Sequence, residues 1–492
     1  MGQNPHYQLF IDGARSEGST GQVMTTDNPA TGDEWATFAC AAPADVERAI
    51  SAARRVLDEP KWRDMTQTQR GKLLYRLADL IEENADHIGR VETTDSGKLL
   101  AETVGQTRYV ADYYRYYAGL ADKVEGAVLP IDKPDMHVFT KREPIGVVVA
   151  IVPWNAQMFL TATKLGPALA AGCSVVLKAS EIAPAPMFEF ACLCERAGFP
   201  PGVVSVITGD AENCAIPLTR HPDVDRIAFT GGPDTARHVV RNSAENFAVT
   251  TLELGGKSPI LVFEDADLDG AANGLIAGNF GASGQSCVAG SRGLIHRPVF
   301  EELVQKIADK AAQIRVGDPL VADTHVGPLC TTAQITRIEE TLATAVAQGA
   351  RIRFGGAPLD QPGNYMAPTL VECSDLETET LKVEMFGPVM SLIPFDTEEE
   401  AIAIANGTPF GLGSGVFTQN LARAHRVSSR IKAGICWINT YRAVSPIAPF
   451  GGVNQSGYGR EAGIEAVQDY TRTKTIWIST SDEPMANPFV MR

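Results

Sequence analysis

Hydrophobic and polar positions follow two different rhythms along this 492-residue chain. Near the start, Phe10-Ile11-Asp12-Gly13-Ala14-Arg15 is a short apolar stretch broken by Asp-Gly, a dipeptide suited to the positive-φ turn of a β-hairpin. Helical periodicity follows over Asp45–Leu57 and Gln67–His87, where Leu73, Leu74, Leu77, Leu80 and Ile81 share one face. From residue 146 the rhythm changes. Apolar runs at 146–152, Ser174–Leu177, Val203–Thr208 and Arg226–Phe229 alternate with Ala- and Leu-rich stretches at 160–172, 185–198 and 211–220. Strands apolar on both faces and joined by helices predict a parallel, helix-covered sheet. A second alternating series opens at Ser258–Phe263 and continues through Gly293–His296, Met390–Pro394 and Cys436–Asn439, with a hinge expected at Glu253–Ser258. Val124–Phe139 and Thr473–Ser479 are strand-like but belong to neither series.

The length exceeds what one hydrophobic core supports, so two or three domains are expected. A net charge of −16 argues against nucleic acid, whose phosphates require clustered Lys and Arg. No basic start followed by an apolar stretch opens the chain, and its apolar runs are far shorter than a membrane span. Nine cysteines, an odd number in no repeating pattern, read as free thiols of a reducing compartment. The expectation is a cytoplasmic protein with neither a nucleic-acid nor a membrane partner.

Candidate chemistry lies in four segments. Cys287 follows Gly284-Gln285-Ser286 and precedes Val288-Ala289-Gly290; Glu253 opens Glu253-Leu254-Gly255-Gly256-Lys257-Ser258-Pro259. A thiol and a carboxylate on glycine-bordered turns are candidates for nucleophile and base, although a lone cysteine is more often core packing. Pro153-Trp154-Asn155 adds an amide, which by itself reads equally as a helix cap, and Glu384-Met385-Phe386-Gly387-Pro388-Val389 adds a second acid. Two segments mislead. Gly256-Lys257-Ser258 imitates a phosphate-binding loop, but Thr251 stands where its first glycine belongs. Asp265-Ala266-Asp267-Leu268-Asp269-Gly270 imitates a calcium loop, but Ile276 stands where the bidentate Glu belongs, so no metal is expected.

With all four segments present, the chain resembles the NAD(P)-dependent aldehyde dehydrogenases of the hydrolytic, non-acylating type, along nearly its whole length. The resemblance implies an α/β fold: a Rossmann-like cofactor domain (1–122 and 144–254), a catalytic parallel-sheet domain (255–470), and a small β oligomerisation arm (123–143 and 471–492). It implies an aldehyde substrate and a homodimer or homotetramer. Cys287 matches the nucleophile, Asn155 and the Cys287 N–H the oxyanion donors, and Glu253 the base for the hydrolytic water. Lys178 and Glu461 match positions of a proton relay.

For the cofactor, the resemblance points to Ile151, Val152, Pro153 and Trp154; to Lys178, Ser180 and Glu181 at the adenosine ribose; and to Phe229, Thr230, Gly231 and Gly232 at the pyrophosphate. Leu254, Gly255, Glu384 and Phe386 would meet the nicotinamide half. Gly232 and Ala236 depart from the family's usual Ser and Gly. NAD is expected over NADP, because Glu181 would repel a 2′-phosphate. The substrate pocket is expected at Ala156, Leu160, Thr163, Ser286, Val288, Tyr441, Arg442, Val444 and Phe450. Arg442 would meet a polar or anionic tail, and Tyr441 would stack on an apolar or ring portion. Three alternatives stay open: a CoA-acylating relative, a cofactor-free cysteine hydrolase, and a non-catalytic structural or binding relative.

Overall fold

The computed structural model describes residues 4–485 and 487–490. Its centre is an eight-stranded sheet in the order 457–458, 249–253, 226–230, 147–151, 174–178, 204–207, 9–11, 14–16. The five strands from 249–253 to 204–207 are parallel to their neighbours, and the outer ones are antiparallel. Every residue of Val147–Ile151 and Ser174–Lys178 is buried, as expected for β-branched strands covered on both faces. The register of these strands aligns their ends. Ile151 lies beside Lys178 and Phe229, and Thr230 beside Glu253, so the carboxyl ends form one row. Strand 147–151 has its sequential neighbour 174–178 on one side and the later 226–230 on the other. Such a switch in strand order opens a ligand crevice at the carboxyl edge.

A second sheet runs 351–354, 369–372, 389–395, 292–296, 259–262, 415–417, 437–438, parallel except for its first pair. The protein is therefore two α/β domains, and the segment Leu254–Ser258 carries the chain from the first sheet to the second. Strand Gly415–Phe417, only three residues long and glycine-bordered, did not stand out in the sequence.

The hairpin forms as read: Leu9–Ile11 pairs with Ala14–Ser16 across Asp12 (φ 55°) and Gly13 (φ 74°). The helical stretch read as Gln67–His87 divides at Asn84, which ends Gln67–Glu83 and starts Ala85–Ser96. The two outlying segments pair with each other within the chain, Met136–Pro144 against Thr471–Ser479; residues 124–135 contribute only a bridge from Val128 to Phe139. Asp267 caps helix Leu268–Phe280 by accepting from Asp269 N–H, and Asp265 pairs with Arg423.

The expected boundary at residue 470 needs correction. Gly457–Tyr458 joins the first sheet, and Ala462, Ala466, Val467 and Tyr470 pack into the first core rather than the second. This return places Glu461 above the row of strand ends.

Candidate active site

The chain around Cys287 is shaped by a turn after helix Leu268–Phe280. Gly284 there has φ 72°, and a Cβ on it would sit 2.1 Å from the Gly387 carbonyl oxygen, so only glycine fits. Asn155 follows strand Val147–Ile151 and donates its side-chain N–H to the Gln285 carbonyl at 3.0 Å, which ties the first sheet to the turn before Cys287. Asn155, Glu253, Cys287, Glu384 and Phe386 line one cavity of about 250 Å³. Burial, then the charges of Glu384 and Glu253, push the Cys287 thiol up to about 12, against backbone N–H groups that favour the thiolate. Burial thus favours the thiol, while the backbone N–H groups beside it favour the thiolate that adds to a carbonyl.

Glu253 ends a strand at the edge of that cavity. It is 3% exposed, and neither carboxylate oxygen has a hydrogen-bond partner among the described residues. Burial first and the Glu461 charge second raise its pKa well above the usual carboxylate range, while Lys164 and Arg460 pull it down. A carboxylate raised this way is suited to accept a proton near neutral pH.

The contacts of Lys178 and Glu461, expected together as a proton relay, separate in the structure. Lys178 is not beside Glu461; its Nζ donates to Glu181 Oε2 at 2.5 Å, on the wall of a crevice along the strand ends. Glu461 is held instead by Lys164, fully buried on helix Gln157–Ala171, whose ammonium also donates to Thr230 Oγ1 at 2.6 Å. Thr163 is withdrawn from the expected pocket as well, because its hydroxyl donates to Glu461 Oε2 at 2.5 Å. The signal for Lys164 was available: it is the only charged residue in Gln157-Met-Phe-Leu-Thr-Ala-Thr-Lys-Leu-Gly-Pro-Ala-Leu-Ala-Ala171.

A larger crevice of about 380 Å³ runs along the strand ends. It is lined by Ile151, Val152, Pro153, Trp154, Lys178, Ser180, Glu181, Phe229, Thr230, Gly231 and Gly232, with Ala211, Ile216, Thr235, His238 and Asn242 beyond the sequence reading. Helix Pro233–Ser243 starts here behind Gly232, which has no side chain to cap it, so its first N–H groups are free to meet a phosphate. At the other end Glu384 Oε1 accepts Gly256 N–H at 3.0 Å, and burial pushes its carboxyl up to about 7. A Cβ on Gly255 would lie 2.1 Å from Glu384 Oε2. Leu254, Gly255, Gln334 and Arg337 complete this part of the lining. Trp154 and Phe386 meet edge to face, with centroids 5.4 Å apart. The donor set fits a dinucleotide: a Lys178–Glu181 pair at one end, an uncapped helix start at mid-crevice and the Glu384 carboxyl next to the Cys287 cavity.

A second cleft of about 290 Å³ reaches Cys287 from the opposite side, lined by Ala156, Leu160, Ser286, Val288, Arg442, Val444 and Phe450, together with Lys98, Glu102, Gln106 and Phe159. Tyr441 does not line it. Its hydroxyl donates to the Val288 carbonyl at 3.0 Å, and its ring packs against Trp437 behind the cysteine. Arg442 has φ 64°, and its Nη1 donates to the Ala277 carbonyl at 3.0 Å.

Residues 16–476 match the sequence profile of the aldehyde dehydrogenase family. The chain belongs to that family. It is 53% identical over 487 residues, covering 99% of both chains, to a (Z)-2-((N-methylformamido)methylene)-5-hydroxybutyrolactone dehydrogenase of Acinetobacter baylyi. Among solved structures it is similar to an NAD⁺ complex of aldehyde dehydrogenase from Bacillus cereus (38% identity, 97% of each chain, TM-score 0.95). It is also similar to a betaine aldehyde dehydrogenase variant from Staphylococcus aureus in complex with NAD⁺ (36% identity, 99% of each chain, TM-score 0.96). This aldehyde dehydrogenase is an NAD-dependent oxidoreductase that oxidises an aldehyde.

Proposed function

We propose that the oxidation proceeds through covalent attachment of the aldehyde to Cys287. In this reading the Cys287 thiol loses its proton to solvent water, the Sγ thiolate adds to the aldehyde carbon, and the developing oxyanion is received by the Asn155 amide and the Cys287 N–H, each donor worth about 3 kcal/mol in such sites. Bound NAD supplies the acceptor for the hydride. Trp154, Phe386 and Glu384 border the cavity where its nicotinamide would rest. Glu253 then removes a proton from the water that hydrolyses the thioester, and Glu461 with Lys164 passes that proton outward. The observation that carries this reading is the unpartnered, buried Glu253 carboxylate in the same cavity as the Cys287 thiol.

The substrate proposed is a semialdehyde or other aldehyde with a polar tail. A 5-hydroxybutyrolactone is chemically the ring-closed form of a 4-oxo acid, and the relative's name supports such a substrate here. Arg442 lines the cleft with part of its guanidinium uncommitted. A carboxylate bound there gains roughly 1.5–3 kcal/mol, about ten- to a hundredfold. Arg442→Ala should raise KM for a carboxylated aldehyde by that factor and leave an aliphatic aldehyde of equal length unchanged. An equal effect on both would remove Arg442 from recognition.

NAD is proposed over NADP because Glu181 stands in the adenosine crevice. Its pairing with Lys178 limits the preference, since the ammonium offsets part of the charge. Exposed Trp477 and Ile478 on the arm strand support assembly into a homodimer or homotetramer. No described helix is long and apolar enough to cross a membrane, and with nine free thiols a cytoplasmic location is proposed.

A further inference from the structure

The turn leading to the nucleophile is strained and tied to a distant helix. Ala282 (φ 52°), Ser283 (φ 54°) and Gly284 (φ 72°) are three consecutive left-handed residues, two of them carrying a Cβ. Such backbone persists only where neighbours over-determine it. Ser283 Oγ donates to the Gly327 carbonyl at 2.9 Å, and Gln285 Oε1 accepts Cys330 N–H at 2.9 Å. Beside these and the Asn155 bond to Gln285, one tether is charged. Ala282 N–H donates to Glu102 Oε1 at 3.1 Å, and Glu102 stands in the first turn of helix Leu100–Leu120. Its other oxygen, Oε2, is buried without a hydrogen-bond partner among the described residues. Glu102 is half-buried on the wall of the second cleft, and an oxygen left unpaired there costs stability that its bond to the turn offsets.

We propose that Glu102 is a positioning residue for Cys287. Its Oε1 holds the Ala282 N–H, fixes the left-handed turn and thereby aims Sγ into the reacting cavity. The bond is charge-assisted, roughly twice the strength of a neutral one, and it reaches the turn from outside the second domain's own sheet. Lys98, close by on the same cleft, is already held by Glu92 at 3.1 Å and Gln106 at 2.8 Å, which leaves Glu102 committed to the turn. The inference rests on Cys287 being the nucleophile.

The test uses the full-length enzyme with propanal and with 4-oxobutanoate, and follows iodoacetamide labelling of Cys287 by peptide mass. Glu102→Ala should lower kcat about ten- to a hundredfold, by the same factor for both aldehydes, slow the labelling and leave NAD affinity unchanged. Glu102→Gln, whose amide oxygen still accepts the Ala282 N–H, should stay within about threefold of the parent. Should Glu102→Ala not fold, Glu102→Asp, whose carboxylate is one methylene short, carries the same expectation. Unchanged kcat overturns the proposal. So does Glu102→Gln as slow as Glu102→Ala, or a change confined to KM for one aldehyde, which would make Glu102 a substrate contact. Activity retained by Cys287→Ala would sink the nucleophile assignment itself. A dead Cys287→Ala beside a normal Glu102→Ala sinks only the positioning role.

Discussion

Glu461→Gln tests the electrostatics around the base with a definite sign. Glu461 is buried, and its charge is the second-largest cause, after burial, of the raised Glu253 pKa. Glutamine keeps the shape and can still accept the Thr163 hydroxyl, but it removes the charge and leaves Lys164 unneutralised next to Thr230. Both changes favour ionised Glu253. As a general scale, at an effective dielectric of about 20 a unit charge roughly 8–15 Å from a carboxylate is worth about 1–2 kcal/mol, or about one pH unit. The group acts as a base only when ionised, so activity falls as pH drops through its pKa. Lowering that pKa moves the acid limb of the kcat profile to lower pH. The shift should be about one unit, with a lower plateau because a weaker base drives deacylation less. The assay is kcat against pH with saturating NAD, under conditions where a deuterated aldehyde gives no isotope effect, so that hydride transfer is not limiting. An acid limb that stays in place, or moves to higher pH, would refute the coupling of Glu461 to Glu253.

Two other substitutions probe the cofactor crevice. Gly255→Ala would place a methyl 2.1 Å from Glu384 Oε2, so it should raise the Kd for NAD at least tenfold while the thiol still reacts with iodoacetamide; unchanged NAD titration would show that Glu384 has room to move. Glu181→Ser should lower the NAD-to-NADP ratio of kcat/KM several-fold, and an unchanged ratio would clear Glu181 of responsibility.

What the sequence made legible was periodicity and turn chemistry. Continuous β-branched runs marked Val147–Ile151 and Ser174–Lys178, and Asp12-Gly13 marked a hairpin, because these signals are local. Which side chains face one another across the fold is not local. Lys178 ends a strand and Lys164 sits in the middle of a helix of the first domain, and only the register of the sheet and the return of residues 457–470 decide that Lys164 meets Glu461. Tyr441 sits next to the cleft-lining Arg442 and Thr163 lies three residues from the cleft-lining Leu160, but their hydroxyls are drawn to the Val288 carbonyl and to Glu461. Ala282 and Ser283 carry no composition signal for left-handed backbone, since that conformation is imposed by tethers from elsewhere in the chain.

The most direct test of the covalent account is mass spectrometry of Glu253→Gln after mixing with NAD and aldehyde, then quenching in acid. The account predicts one equivalent of NADH formed in a burst, together with a Cys287 peptide heavier by the acyl group. That adduct should be absent from Cys287→Ala, which should form no NADH. Full steady-state turnover by Glu253→Gln with an unmodified Cys287 would contradict it.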